Sequence, residues 1–181
     1  PLLRRYASMG GMMIETKRLT LTKISSEDRE VISKILSSPI QTKFLPNEAP
    51  YSEEQQREYL LNRIDHWNKH DFGTFIVVLK EDPIAKVGFV GAEYAPNPKY
   101  VDIRFGIVSE YEGKGIITES AKALATWFFE NTQHNVLYGV AMADNFGSKS
   151  VLSKMGMQLV GEVDLYDCEG LENFILKAEN A

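Results

Sequence analysis

EYEGKGIITES, residues 110 to 120, sets two glycines around a lysine immediately before a run with helical spacing. Ile117, Ala121, Leu124, Ala125 and Phe128 fall on one face of that run,. Just upstream, in YVDIRFGIV, Val101, Ile103, Phe105 and Ile107 alternate with Asp102, Arg104 and Gly106 as in a β-strand,. The order is therefore strand, glycine turn, helix. At such a junction the first helical amides have no partner within the helix, and those from Gly113 to Thr118 are free for an anion, helped by the helix dipole and by Lys114,. The alternative is a bend with no ligand, in which Gly113 and Gly115 only turn the chain,.

Two well-known anion loops do not fit. A Walker A loop needs G-x-x-x-x-G-K-[ST], but Val108 stands at the first glycine and Gly115 follows the lysine,. A dinucleotide fingerprint needs a third glycine where Thr118 stands,. The preceding segments also argue against a doubly wound parallel sheet. Thr74 to Leu79 and Ala85 to Tyr94 read as a hairpin around Glu81-Asp82-Pro83, and Pro96-Asn97-Pro98 then leads into the strand before the glycines,. Three consecutive antiparallel strands are expected.

Towards the N-terminus, Arg18 to Ile24 reads as a half-buried strand, and Ser25 and Ser26 followed by Glu27 and Asp28 as a helix start,. Pro46 and Pro50 mark a loop, and Ser52 with Gln55 has capping-box spacing ahead of a helix running to about Asn68,. After the central helix come a strand at Val136 to Met142 and a helix from Asn145 to Met155, with Gly156 as a left-handed cap,. Strands near Met157 to Leu165 and Glu172 to Lys177 complete the pattern. Residues 1–12 read as a tag or disordered extension, with Met12 and Met13 as candidate natural starts; the globular pattern begins around Glu15, and 13–181 form one domain,.

The composition, with a net charge of -5 and dispersed basic residues, offers no face for a phosphate backbone, so nucleic acid is not an expected partner,. No apolar stretch is long enough for a membrane helix,. Cys168 is the single cysteine, which excludes an internal disulfide and fits a reducing cytoplasm; it reads as a buried or edge thiol,. His66, His70 and His134 lack ligand spacing, so no metal site is expected,. Trp67, Phe72, Tyr94 and Trp127 read as core or rim.

Taken whole, the glycine stretch resembles motif A of the GNAT-type N-acetyltransferase superfamily, [QR]-x-x-G-x-[GA], here Glu112-Gly113-Lys114-Gly115-Ile116-Ile117. Downstream, NFGSKSVLSKMGM from Asn145 to Met157 is similar to that superfamily's N-x-x-S-x-x-V-L-x-K-x-G-[FM]. The opening ETKRLTLTKI resembles the E-T-x-R-L-x-L start of the RimJ/RimL-type, ribosomal-protein N-terminal acetyltransferase branch, and the likeness runs from about Glu15 to Lys177. Two departures stand out. Glu112 replaces Gln or Arg, placing an acid near a diphosphate unless it turns into solvent, and Ile117 replaces a small residue, with a spacing that points to the core,.

The resemblance implies an α/β (α+β) GNAT fold: a mostly antiparallel mixed sheet with a splayed central strand pair and flanking helices. It implies acetyl-CoA as co-substrate, with its pyrophosphate on Glu112, Gly113, Lys114, Gly115, Ile116, Ile117 and Thr118 and its pantetheine arm along Ile107 and Val108, aided by Asn145. The amide of Ile107 or Val108 is the expected carbonyl polariser. The motif-B tyrosine position holds Leu152, so Ser148 is the candidate donor to the leaving thiolate; otherwise its hydroxyl serves the first helical turn,. Asp102 and Glu93 are candidates for touching the acceptor amine; otherwise, with Arg104 on the same face as Asp102, they belong to a cross-strand ion pair on a solvated face,.

The expected activity is acetyl transfer to a primary amine, a protein N-terminus or a small molecule, directly and within a ternary complex. A non-catalytic acyl-CoA-binding sensory module is the alternative. Helix 52 to 68 with the loop before it is the expected acceptor wall, and a homodimer is compatible with the reading.

Overall fold

The computed structural model describes residues 5–8, 11–45 and 48–181, so Pro46 lies outside the described residues. Two strands, β1 (Arg5–Ser8) and β2 (Gly11–Glu15), pair with each other, and β2 pairs with β3 (Leu19–Lys23). The sheet thus begins ahead of Glu15, earlier than the hydropathy pattern indicates. A 3-10 turn, Ser26–Asp28, leads into α1 (Arg29–Leu36). Ser25 closes it with a capping box to Asp28, which offsets the unpaired amides of the first turn,. A short α2 (Pro39–Thr42) and the long α3 (Glu53–His70) follow. Ser52 and Gln55 form the expected capping box, and α3 ends two residues later than expected, at His70, with Asp71 as its C-cap in the left-handed region.

Next come β4 (Thr74–Leu79), β5 (Lys86–Tyr94) and β6 (Val101–Ile107), paired antiparallel in sequence as expected. Then follow α4 (Ile116–Asn131), β7 (Val136–Met142) and α5 (Phe146–Lys154), which stops at Gly156 with a φ of +96°,. The last strands are β8 (Gln158–Val160) and β9 (Leu171–Lys177). β8 is much shorter than the strand expected from Met157 to Leu165; residues 161–170 form a loop in which Glu162 and Asp167 take positive φ, a conformation that breaks a ladder,.

The sheet order among the described residues is β1-β2-β3-β4-β5-β6-β7-β9-β8. Every neighbouring pair is antiparallel except β6 and β7. Helices cover both faces, which explains why β4 is buried at Thr74 through Val78 without alternation,. A Cβ on Gly106 would meet Ile35 of α1 at 3.1 Å, whereas one on Gly88 would meet Ile117 of α4 at 3.5 Å. Thus α1 packs on one face and α4 on the other. Gly139 of β7 faces Leu152 of α5, on the α4 side. Phe75, Ile76, Leu124 and Phe128 are fully buried at the centre.

The parallel pair is the weakest join in the sheet. β6 and β7 meet only at Asp102 and Tyr138. Beyond that point, toward Ile107 and Met142, no ladder joins them, and the edge of β6 on that side is unpaired.

Candidate active site

Both helices that follow the parallel strands start at the C-terminal ends of the parted pair. After β6, the Val108 amide donates to Val87 O at 2.8 Å. Antiparallel pairing alternates, so the N–H of Ile107 turns the other way, into the gap beside β7,. Of the two amides expected to polarise a carbonyl, Ile107 is therefore available, and that of Val108 is already committed to the sheet.

A turn at Ser109–Tyr111 brings the chain to Glu112. Gly113 and Gly115 both have φ of +74°, where a side chain would be strained, so glycine is favoured at each,. Gly115 is the N-cap of α4 and supplies no capping side chain. None of the amides from Gly113 to Thr118 donates to an acceptor among the described residues. Gly113, Lys114 and Gly115 are exposed, while Ile116 and Ile117 anchor the helix start in the core. Ile117 faces inward, as its spacing indicates. Glu112 is exposed but not free: Gln41 of α2 donates its amide to the carboxylate, which turns the acid aside. Lys114 holds its ammonium 5.4 Å from the Tyr111 ring centroid. The arrangement is a row of unpaired donors at a helix N-terminus, and it fits a pyrophosphate.

After β7, Asn145 caps α5 by accepting the Ser148 N–H at 3.1 Å. The cap is thus made by the asparagine, and the Ser148 hydroxyl takes no part in it. Ser148 is half-buried in the first turn of α5.

The two acids lie on the α1 and α3 face. Glu93 and Asp102 are register partners across β5 and β6, and both are buried rather than on the solvated face expected for an ion pair. Glu93 accepts from Thr74 Oγ1 at 2.7 Å, pairs with Arg63 Nε of α3 at 2.8 Å and lies 3.8 Å from Arg104. Asp102 pairs with Arg104 Nε at 3.4 Å through one oxygen, and Tyr166 donates its hydroxyl to the other. Burial raises the Asp102 carboxyl above the usual carboxylate range, against the pull of Arg104 and of the tyrosine,. Burial and the neighbouring charge of Asp102 raise the Tyr166 hydroxyl well above its ordinary value.

The fold brings the glycine turn, Ile107, Asn145 and Ser148 to one end of the parted strands, and sets Asp102 where they last touch. Glu93 stands one strand further off, enclosed by its arginines. Sequence reasoning missed Arg63, Gln41 and Tyr166. Arg63 faces the acids only because α3 lies along β5, Tyr59 against Phe89 and His66 against Tyr94, and Tyr166 sits in an acidic loop with no periodic signal. Cys168, in the same loop, is exposed rather than buried. Trp67, Phe72 and Trp127 are core residues.

The site is thus a sheet that carries two helix N-termini at a parted parallel pair. Residues 18–158 match the acetyltransferase (GNAT) domain family, and the chain belongs to that family. It is an N-acetyltransferase of the class that takes its acetyl group from acetyl-CoA and passes it to an amine. The chain is 24% identical over 151 residues to the uncharacterized N-acetyltransferase YnaD of Bacillus subtilis strain 168, covering 83% of this chain and 85% of that protein. The fold matches an acetyltransferase from Agrobacterium tumefaciens str. C58 with a TM-score of 0.82 at 20% identity, over 94% of this chain and 96% of that one. It also matches RimL, a ribosomal L7/L12 alpha-N-protein acetyltransferase in complex with coenzyme A, with a TM-score of 0.74 at 16% identity, over 93% and 99%. No helix among the described residues is long and apolar enough to cross a membrane.

Proposed function

We propose that this chain acetylates an α-amine, of a protein N-terminus as in the RimJ/RimL-type branch or of a small molecule, by direct transfer in a ternary complex. The observation that carries the reading is the parting of β6 and β7 just beyond Asp102, which leaves the Ile107 amide facing the gap. When bound, acetyl-CoA supplies an activated thioester and a thiolate leaving group. The amides from Gly113 to Thr118 hold its pyrophosphate, and Asn145 orients the pantetheine.

The Ile107 N–H then acts as a fixed dipole where oxyanion charge develops. Asp102 accepts the proton that the amine loses as its N–C bond forms, and Ser148 gives a proton to the departing sulfur and regains one from solvent. One proton is taken up and one released, so the sum is balanced. A carboxylate is a sufficient base for an α-amine, whose reference pKa near ~8 leaves a useful neutral fraction at pH 7; lysine, near ~10.4, offers far less. Glu93 is fully engaged by Thr74, Arg63 and Arg104 and reaches the acceptor only through them. The lone exposed cysteine fits a reducing compartment, and we assign the cytoplasm,.

The test is thiol release from acetyl-CoA across peptides with free Ser or Ala N-termini, polyamines, aminoglycosides and amino acids. Intersecting double-reciprocal plots with an unmodified enzyme mass are expected for the amine that is used. Parallel plots with a mass gain of one acetyl group would overturn direct transfer, and binding of acetyl-CoA without turnover of any amine would favour a sensory module.

A further inference from the structure

The N-terminal segment Thr16-Lys17-Arg18, part of the ETKRLTL stretch, has no part in the chemistry above, yet it is bonded to the glycine turn about a hundred residues away. Glu119, in the first turn of α4, receives three donors from it: Thr16 Oγ1 at 2.7 Å and the Arg18 backbone N–H at 2.9 Å on one oxygen, and Arg18 Nε at 2.6 Å on the other. Burial alone would raise the Glu119 carboxyl, but the bonds from Arg18 and Thr16 outweigh it and hold the carboxyl below its ordinary value. The guanidinium then extends past Glu119, and its Nη1 donates to the carbonyl of Lys114 at 2.9 Å.

Lys114 lies between the two glycines, and its carbonyl belongs to the same peptide unit as the Gly115 N–H. A trans peptide is planar, with the C=O and N–H on opposite sides. Holding the Lys114 oxygen against Arg18 therefore commits the Gly115 N–H to the opposite side, the side of the free amides. Glycines at positive φ give the turn little stiffness of its own, since each can visit either sign of φ,. Something outside the turn has to fix which way this peptide faces.

We propose that Arg18, clamped by Glu119, is a positioning residue that orients the Lys114–Gly115 peptide and so presets the anion-binding amides for coenzyme A. The proposal rests on the coenzyme reading of the turn. It also assigns a purpose to the arginine of the N-terminal motif: its fork spans a carboxylate and a carbonyl at once, which a lysine ammonium on a single stem does not reproduce.

The experiment is calorimetric titration of free coenzyme A into wild type, Arg18→Ala, Arg18→Lys and Lys17→Ala, with thermal unfolding of each without ligand. Lys17 lines the same groove beside the turn and serves as the charge control. Arg18→Ala is expected to weaken coenzyme A by about tenfold or more, the equivalent of one charge-assisted hydrogen bond. Arg18→Lys should recover less than about threefold of that loss, and Lys17→Ala should stay within about twofold of wild type. Hydrogen exchange at the Gly115 amide of unliganded Arg18→Ala should change relative to wild type, a readout a merely structural ion pair on the far side would leave alone. Full recovery by Arg18→Lys, or an equal loss in Lys17→Ala, would reduce Arg18 to a diffuse positive charge and overturn the proposal. Unchanged affinity in Arg18→Ala would overturn it as well. If wild type itself fails to bind coenzyme A, the reading of the turn falls first, and the exchange measurement alone then decides whether Arg18 orients the peptide.

Discussion

Glu93 and Asp102 stand directly opposite each other on β5 and β6, at 1% and 2% exposure, and share Arg104 between them. Two like charges that close, away from water, are tolerable only because Arg63 and Arg104 bring the cluster to neutrality,. The two acids thereby divide their labour. Glu93 has three partners and holds the arginines; Asp102 keeps one oxygen on a tyrosine hydroxyl from the loop between β8 and β9.

Removing Glu93 leaves Arg63 with no carboxylate and Arg104 with one. Breaking one partner of a buried pair costs about 3–5 kcal/mol, so Glu93→Ala should lower the melting temperature by roughly 6–20 °C. Glu93→Gln, which can still accept from Thr74, should lose less. Urea unfolding of both variants checks this, and a loss in Glu93→Ala below about 1 kcal/mol would mean that the arginines find water instead.

Asp102→Asn should reduce turnover of the acceptor by about a hundredfold or more while leaving coenzyme A affinity within about twofold, as removal of a general base does. Tyr166→Phe makes a separate prediction. The tyrosine hydroxyl favours the charged carboxylate, so its loss should raise the Asp102 carboxyl further,. The acid limb of the profile of kcat/KM against pH should then move to higher pH. A limb that stays in place in Tyr166→Phe would show that Asp102 is not the group being titrated.

His66 is held neutral. Its Nδ1 bonds the Phe72 carbonyl at 2.8 Å, and its Nε2 accepts the Tyr94 N–H at 3.0 Å. Burial lowers its pKa from 6.5 to about 4. In that window the unfolded chain binds a proton that the native protein refuses, so this contribution to stability is complete above pH 6.5 and is lost as pH falls toward about 4,. Proton NMR titration of the ring should give a midpoint near 4; a midpoint at the ordinary histidine value would mean that the Tyr94 bond does not form in solution.

Sequence patterns located most of this architecture because local rules and tertiary demands agree. β7 spans the residues expected for it, Val136 to Met142, and α3 starts at the Ser52 and Gln55 box. The glycine turn was legible because positive φ leaves few alternatives to glycine. Burial of the acids was not, since alternation in YVDIRFGIV describes a strand with one wet face, and the packing of α3 along β5 is a long-range fact. Tyr166 was hidden for a similar reason: a strand expected through Leu165 ends at Val160, and Leu165, 1% exposed, anchors the loop that swings the tyrosine over Asp102.

Ser148 differs from Ser25, which caps the 3-10 turn ahead of α1, and from Ser52, which caps α3, because Asn145 already performs the cap. Ser148→Ala should therefore leave stability within about 0.5 kcal/mol of wild type while lowering kcat more than it changes coenzyme A affinity. Asn145→Ala should cost about 1 kcal/mol through the lost cap. Full activity in Ser148→Ala would remove the serine from the proton path.

Gly115→Trp separates a binding turn from a bend. A Cβ at Gly115 has only Arg18 Nη2 nearby, at 3.5 Å, so the branch point of the side chain meets no backbone. Its φ of +74° adds strain of about 1–2 kcal/mol, which should lower the melting temperature by roughly 2–8 °C,. The indole would nevertheless stand over amides that have no other partner, and coenzyme A binding should be lost. Gly113→Ala is the matched control: its Cβ meets nothing within 4 Å, and a methyl leaves the amides open. It should share the strain and retain most of the affinity. Equal affinity in Gly115→Trp and wild type would show that the turn only redirects the chain, and that the pyrophosphate is held elsewhere.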